Sequence, residues 1–316
     1  MNLSIVICTH NRLTLLTQTI ESLNRATHPD GVAVDVIVIA NACTDNTIEW
    51  LKSYQQRMSL EEILPLQWSV EETPGKSHAL NRAIGLIKSP VACFIDDDQR
   101  VHKNYLSAVV RGINQFPDFD LFCGRMEPDW TGKEPNWVHD KGPYRIRLSL
   151  VPEYDLGHIS IPVMRGTHKL PSGGNIVVRQ HVFKKTGGFS TDIGPKGHNL
   201  IGGEDMEFLG RVLQSNFRIR YLPELSQFHY VDPERIKLFY ILKKSFQRTR
   251  SSNKIVENKS SVPLYMLNKV CIYFAQAIFS FNSLKTRYYL VRLAAVLGEI
   301  QHLRDLQNTI TNPSIS

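Results

Sequence analysis

Over residues 1–116, short runs of apolar side chains alternate with stretches whose apolar positions recur every three to four residues. The run 3–8 precedes a helical pattern at 13–23, and 34–40 precedes 45–54. The same pairing holds for 66–70 with 77–87 and for 91–95 with 105–116. The strand-like runs are nearly continuous in Val, Ile and Leu, as expected of strands covered on both faces, and the amphipathic segments between them supply the cover. The pattern predicts an α/β fold, a doubly wound, mostly parallel sheet with helices on both faces. In such sheets ligands bind beyond the carboxyl ends of the strands. The loops that fall there, 9–12, 41–45, 71–76 and 96–98, are all polar.

Past residue 124 the pattern loosens. The stretch 126–171, with its Trp, Pro and Gly residues, matches no regular element and reads as a lid or an acceptor-side insertion. Strand character returns at 175–179, helical spacing at 204–214, and a last strand at 219–222 is expected to stop at Pro223. From Arg235 to Arg292 the chain is rich in Lys and Arg, including Lys254 and Lys259, with Glu257 as its one acid, set among Leu, Ile, Phe and Tyr. Basic amphipathic helices are expected at 239–246 and 264–292, followed by a frayed tail.

Composition narrows the class. The 316 residues are 42% hydrophobic and 21% charged, the balance of an ordinary globular enzyme. The five cysteines are scattered through apolar runs and show neither zinc spacing nor a disulfide framework, which points to a reducing compartment. No secretion signal is read at the N-terminus, and no stretch has the roughly 20 apolar residues of a membrane span. The net charge of +7 calls for an anionic partner: nucleotide phosphates, lipid head groups or nucleic acid. No nucleic-acid-binding motif or aromatic-basic platform accompanies it, so no nucleic acid is expected.

Three features carry chemistry. Asp96, Asp97 and Asp98 follow the apolar run 91–95, where three acids repel one another unless a cation is near; oxygen ligands of this kind suit Mg²⁺ or Mn²⁺. The competing reading is a solvated acidic turn. Gly202 and Gly203 lead into Glu204 and Asp205 at a helix start, where acids are favoured by the helix dipole whether or not they function. His229 is a lone histidine beyond a strand, a position as compatible with a structural role as with a ligand.

Taken in order, these residues resemble the family 2 glycosyltransferases with the GT-A fold, of the bacterial single-transfer type. The resemblance runs from residue 3 to about 250. It rests on Ser4–Arg12, on Asn41–Thr47, on Pro74–Asn81 and on Asp96-Asp97-Asp98. Ser172-Gly173-Gly174-Asn175, Gly187-Gly188-Phe189, Gly202-Gly203-Glu204-Asp205 and His229 complete it. The resemblance implies that Asp96 lies near the donor ribose and that Asp98 binds the metal, with Asp96 and His229 completing the metal set. It implies Asp205 as the catalytic base, with Glu204 beside it orienting the acceptor. Thr9, Asn11, Arg12, Asn41 and Asp45 would hold the nucleoside, Lys76 and Asn81 the phosphates, and Asp97 and Asn175 would also contribute to donor binding. Where many relatives carry an acid that reads the base, this chain has Ala40-Asn41; UDP is the default donor. A processive synthase is not expected, since the Q-x-x-R-W motif and membrane helices of such enzymes are missing.

The expected organisation is a catalytic domain at 1–232, with a nucleotide-binding half at about 1–124 and an acceptor-side half at about 125–232. A helical extension at 233–308 and a flexible tail at 309–316 follow. The expected reaction is inverting, metal-dependent transfer from a nucleotide-sugar to a glycan or lipid-linked acceptor, in cell-surface polysaccharide or glycoconjugate synthesis. It would take place in the cytoplasm, with peripheral contact to an anionic inner membrane through 235–292, and leaves room for a homo-oligomer. The alternatives are a degenerate nucleotide-sugar-binding assembly protein and a sugar nucleotidyltransferase; the latter wants a glycine-rich loop after the first strand, where this chain has Thr9-His10-Asn11-Arg12.

Overall fold

Alternation along each strand decides which residues reach which face of the sheet. In β1 (Asn2–Thr9), Leu3, Ile5 and Ile7 join one apolar cluster and Val6 the other, the period of two that a pleated strand imposes. In β2 (Ala33–Asn41) and β4 (Val91–Ile95) the same parity sends Val36, Val38, Cys93 and Ile95 one way and Ile37, Ile39 and Phe94 the other. The first face is covered by α1 (Leu13–Asn24) through Leu16, Ile20 and Leu23, with α2 (Thr47–Arg57) beside it. The second carries α3 (Lys76–Ile84) through Ala79, Leu80 and Ala83. The computed structural model describes residues 1–146, 153–192, 203–250 and 262–311. Gly202, Lys254, Glu257, Lys259 and the end of the tail, 312–316, lie outside the described residues.

The remaining strands are β3 (Leu66–Glu71), β5 (Gln99–Val101), β6 (Leu121–Asp129), β7 (Ile161–Val163), β8 (Asn175–Arg179) and β9 (Ile219–Tyr230). The sheet order is β3-β2-β1-β4-β8-β6-β9-β5, with β7 also paired to β9. Pairing is parallel from β3 to β4; β8 then enters antiparallel between β4 and β6, while β6 and β9 are parallel. Outside the sheet, α4 (Tyr105–Gln115) joins the first face, and α5 (His181–Thr186) and α6 (Glu204–Gln214) join the second, the latter through Phe208, Leu209 and Val212. This is the expected α/β class, and the insertion of β8 carries Ser172-Gly173-Gly174 to the end of the sheet where β4 delivers its acids.

Two expectations are corrected. Pro223 does not end its strand: β9 runs on through His229 to Tyr230. Its partner register jumps from Gly124–Leu222 to Met126–Gln227, so Pro223 sits where the β6 ladder is interrupted and its missing N–H removes no ladder bond. The stretch 126–171 is likewise not wholly irregular, because β6 continues to Asp129 and residues 161–163 form β7; positions 147–152 lie outside the described residues.

By packing, the chain divides into two compact units, Met1–Asp129 with Pro152–Tyr230, and Trp130–Val151 with Val231–Ser316. In the second, α7 (Leu238–Arg250) and α9 (Ser283–Thr311) meet through small residues. Ser245 and Thr249 donate hydrogen bonds to the carbonyls of Val291 and Ala295, and Gly298 lies against the carbonyl of Phe246. The helical pattern 264–292 divides into α8 (Leu264–Ile278) and α9, because Asn282 accepts the N–H groups of Leu284 and Lys285 and starts a new helix. Helix α9 persists through Thr311, beyond the start expected for the tail.

At the register jump a Cβ on Gly124 would lie 1.9 Å from the Leu225 carbonyl oxygen, a clash with backbone. Gly124→Ala is expected to destabilise by about 3 kcal/mol or more in urea unfolding. Gly210→Ala, in the interior of α6 with nothing within 4 Å of its Cβ, is expected to stabilise by about 0.5–1 kcal/mol in the same measurement.

Candidate active site

The three aspartates leaving β4 take three directions. Asp96 turns to Lys76 at the start of α3, with Nζ 2.8 Å from Oδ1. Asp97 turns inward, accepting the Thr9 hydroxyl at 2.7 Å and Arg12 Nη1 at 3.1 Å, while its main-chain carbonyl accepts the Thr19 hydroxyl at 3.0 Å. Asp98 accepts the same Arg12 nitrogen at 3.0 Å on Oδ2 and presents Oδ1 3.4 Å from His229 Nε2. The β5–β9 pairing sets that last approach, since Gln99 is in register with His229 and Tyr230 N–H donates to the Asp98 carbonyl. The three acids line a cleft of about 240 Å³ with Thr9, Arg12, Asn41, Gly75 and Lys76.

Glu204 and Asp205 reach the same cluster from the start of α6. Lys76 Nζ is 3.9 Å from Glu204 Oε1. Two adjacent glycines separate Asp96 from Asp205: a Cβ on Gly174 would lie 2.4 Å from Asp96 Oδ2, and one on Gly173 would lie 2.1 Å from Asp205 Oδ1. The Gly173 N–H donates to Asp205 Oδ2 at 2.8 Å. Asp205 Oδ1 is buried without a hydrogen-bond partner, so one oxygen is oriented by backbone and the other is left to accept a proton.

The charges respond to this crowding. Burial opposes the Lys76 ammonium, yet Asp96, Asp205 and Glu204 together outweigh it and hold its pKa well above the ordinary lysine value. Burial raises Asp96, and Lys76 more than reverses it, keeping that carboxyl below the usual range. Asp97 is pushed up to about 7, by burial first and by Asp98 next, against Arg12 and the Thr9 hydrogen bond. Burial and the charge of Asp205 raise Glu204.

The residues fit a divalent cation at Asp98 and His229. Asp98 Oδ1 is buried and accepts no hydrogen bond. His229 Nδ1 lies 2.8 Å from the Tyr230 carbonyl oxygen; that contact assigns the ring proton to Nδ1 and makes Nε2 an acceptor in the neutral ring. Two acceptors 3.4 Å apart in a dry setting are relieved by a proton or a metal ion between them, and carboxylate with imidazole is a donor set for the latter. Asp96, expected as a further ligand, is instead held by Lys76. Among the described residues no group of three or more His, Cys, Asp or Glu is arranged to hold a metal.

Several residues expected at the donor tie loops together in this structure. The side chain of Asn41 donates to the carbonyls of Glu71 and Thr73 and accepts the Gly75 N–H, so it shapes the cleft wall and is not available to read a base. Asn81 exchanges two hydrogen bonds with the backbone of Phe189 and does not line the cleft. Asn175 is buried and donates to the carbonyls of Arg125 and Leu225, joining β8 to β6 and β9. Asn11 accepts the N–H groups of Thr44 and Asp45, and Asp45 accepts those of Leu13 and Thr47, stapling the first two strand-end loops together. Residues 8, 10, 74 and 79 line the cleft without an assigned role, and Thr19, which braces Asp97, carried no signal because it lies in the middle of a helix.

An unfolded aspartate titrates near pH 4. Between there and about pH 7 the folded protein binds one more proton at Asp97 than the unfolded chain does, so stability falls as pH rises through that window. Asp97→Asn, which still accepts the Thr9 hydroxyl, is expected to remove about 2–4 kcal/mol of that fall when metal-free wild type and variant are unfolded in urea from pH 5 to pH 8.

Comparison with known proteins gives the family and the fold. The chain is 21% identical over 249 residues to a glucosyl-dolichyl phosphate glucuronosyltransferase of Haloferax volcanii, covering 78% of this chain and 74% of that one. Its fold is similar to that of S. aureus TarS 1-349 in complex with UDP, with a TM-score of 0.55 and 16% identity, over 99% of this chain and 92% of that one. It is equally similar to the mannosyltransferase PcManGT of Pyrobaculum calidifontis in complex with GDP-Man and Mn²⁺, with a TM-score of 0.55 and 15% identity, over 96% and 87% of the two chains. Both likenesses place the sheet and its helices in the GT-A fold. The family model described as glycosyltransferase like family 2 matches residues 2–253, and with most of its length inside that match the chain belongs to this glycosyltransferase family.

Proposed function

We propose that this protein transfers one sugar, with inversion at the anomeric carbon, from a nucleotide-sugar to a hydroxyl of a glycan or lipid-linked acceptor. The observation that carries the reading is a pair of buried, unpartnered carboxylate oxygens, Asp98 Oδ1 and Asp205 Oδ1, in a cluster whose other acids are tied to Lys76, Arg12, Thr9 or backbone. One oxygen suits a cation, the other a proton. The relative's glucosyl-dolichyl phosphate supports a lipid-linked acceptor. The neighbours with UDP, UDP-GlcNAc and GDP-Man support a nucleotide-sugar donor, of which UDP-sugar remains the favoured type.

Asp98 and His229 would hold Mn²⁺ or Mg²⁺, and the Mn²⁺ in the mannosyltransferase complex supports the choice. When bound, such a cation would supply Lewis-acid neutralisation of the leaving diphosphate. Lys76, at the start of α3 and lining the cleft, binds phosphate oxygens. Asp205 Oδ1 removes the proton of the acceptor hydroxyl as that oxygen bonds to the anomeric carbon and the bond to the nucleoside diphosphate breaks. Glu204, whose pKa burial raises, orients the acceptor. Thr9 and Arg12 act on the donor through Asp97 and Asp98, which they fix. The setting is cell-surface polysaccharide or glycoconjugate synthesis at the cytoplasmic side of a membrane, with 235–292 in contact with anionic lipid. Among the described residues no helix is long and apolar enough to cross a membrane.

Asp205→Asn is expected to keep the thermal shift given by UDP-sugar with Mn²⁺ while lowering the transfer rate by about 10²–10⁴-fold; transfer at the wild-type rate would remove Asp205 as the base. Asp98→Asn and His229→Ala are each expected to abolish the Mn²⁺-dependent part of the UDP-sugar thermal shift. An undiminished Mn²⁺ response in both would place the cation elsewhere, and wild-type protein that neither transfers nor hydrolyses any donor would leave only a binding role.

A further inference from the structure

Helix α8 has two apolar faces. Met266, Val270, Tyr273 and Ala277 are partly or fully buried, and Tyr273 meets α9 through a hydrogen bond from Arg292 and a ring contact with Tyr289. On another side Leu264, Leu267, Cys271, Phe274 and Ile278 form a bare arc. The turn after the helix extends that surface: Phe279 is 77% exposed and Phe281 107%, as open as a phenylalanine can be. Scattered exposed apolar residues are normal, but a continuous face capped by two aromatic side chains marks a docking surface.

We infer that α8 and its 279–281 turn form the element that inserts into an anionic lipid bilayer, lying in the plane of the head groups with Phe279 and Phe281 below it. The inference rests on the membrane contact proposed for 235–292 and narrows it to one helix. Charge selects this occupant. From Leu264 to Arg292 the sequence has no acid, while Lys269, Lys285, Arg287 and Arg292 are present. Each of these cations lies over an aromatic ring, of Tyr265, Tyr144, Trp137 and Tyr273 respectively, the pairing of basic and amphipathic aromatic groups that suits a membrane interface. The helix is 15 residues long, about 22 Å, too short to span a bilayer. The bare arc also has heptad spacing, but two heptads are fewer than the three or four that a coiled-coil partner helix requires.

The test is flotation of the full chain, without donor, on vesicles of phosphatidylcholine alone or with about one third phosphatidylglycerol, alongside the mass of the free protein by light scattering. Wild type is expected to bind the anionic vesicles at least about tenfold more tightly at low salt, with the preference lost at high salt. Phe279→Ser/Phe281→Ser is expected to lower that binding by about tenfold or more while donor hydrolysis stays unchanged, since both side chains are solvent-exposed. Anionic-vesicle binding that survives in the variant overturns the role of α8 and leaves the broader membrane reading standing. Failure of wild type to bind overturns both. A wild-type dimer that becomes monomeric in the variant overturns the inference in favour of a second copy of this chain on the same face.

Discussion

Five carboxylates gathered at one end of a sheet repel one another, and the arrangement of the cleft follows from how that repulsion is contained. Lys76 lies between Asp96 and Glu204, and Arg12 bridges Asp97 and Asp98. Each cation belongs to an element whose place the sheet order determines: Arg12 follows β1, the immediate neighbour of β4, and Lys76 opens the crossover after β3. The compensation is incomplete. Asp97 is pushed up to about 7 even with Arg12 beside it, so the cluster as built still has affinity for positive charge. A cation at Asp98 would complete what Arg12 and Lys76 begin.

The second acid group arrives by a route that depends on missing side chains. Strand β8 enters between β4 and β6, and its leading dipeptide Gly173-Gly174 passes between Asp96 and Asp205 with no room for a methyl group on either residue. Strand β9 delivers His229: by continuing past Pro223 it carries a residue far away in sequence into register with Gln99. Chemistry from three remote segments thus converges because β8 and β9, strands from late in the chain, join the sheet beyond its parallel half.

Much of this was legible in the sequence. The parallel half follows from apolar runs such as Val36–Ala40, which have no polar face and must be covered twice. The acids Asp96, Asp97, Asp98, Glu204 and Asp205 were legible as a site because like charges at strand and helix ends need a reason to be together. The asparagines were not. Asn41, Asn81 and Asn175 have the same side chain whether they meet a ligand or a distant carbonyl, and their partners at Thr73, Phe189 and Leu225 are set only by the tertiary structure. The ion pair of Asp96 with Lys76 was illegible for a related reason: the two are close in space and lie on different loops. Pro223 was taken as a strand end because a local rule cannot see that the neighbouring ladder has already lapsed.

The hydrogen bond from Gly173 to Asp205 comes from the main chain, and this changes how position 173 tolerates mutation. Apart from proline, no replacement can delete the donor; every one instead intrudes on the carboxylate it serves. Polarity and charge at this position are therefore secondary to bulk, and the smallest possible change, one added carbon, already meets the obstacle. Evolution is left no gradual path there: the residue is either glycine or the Asp205 carboxylate must leave its place.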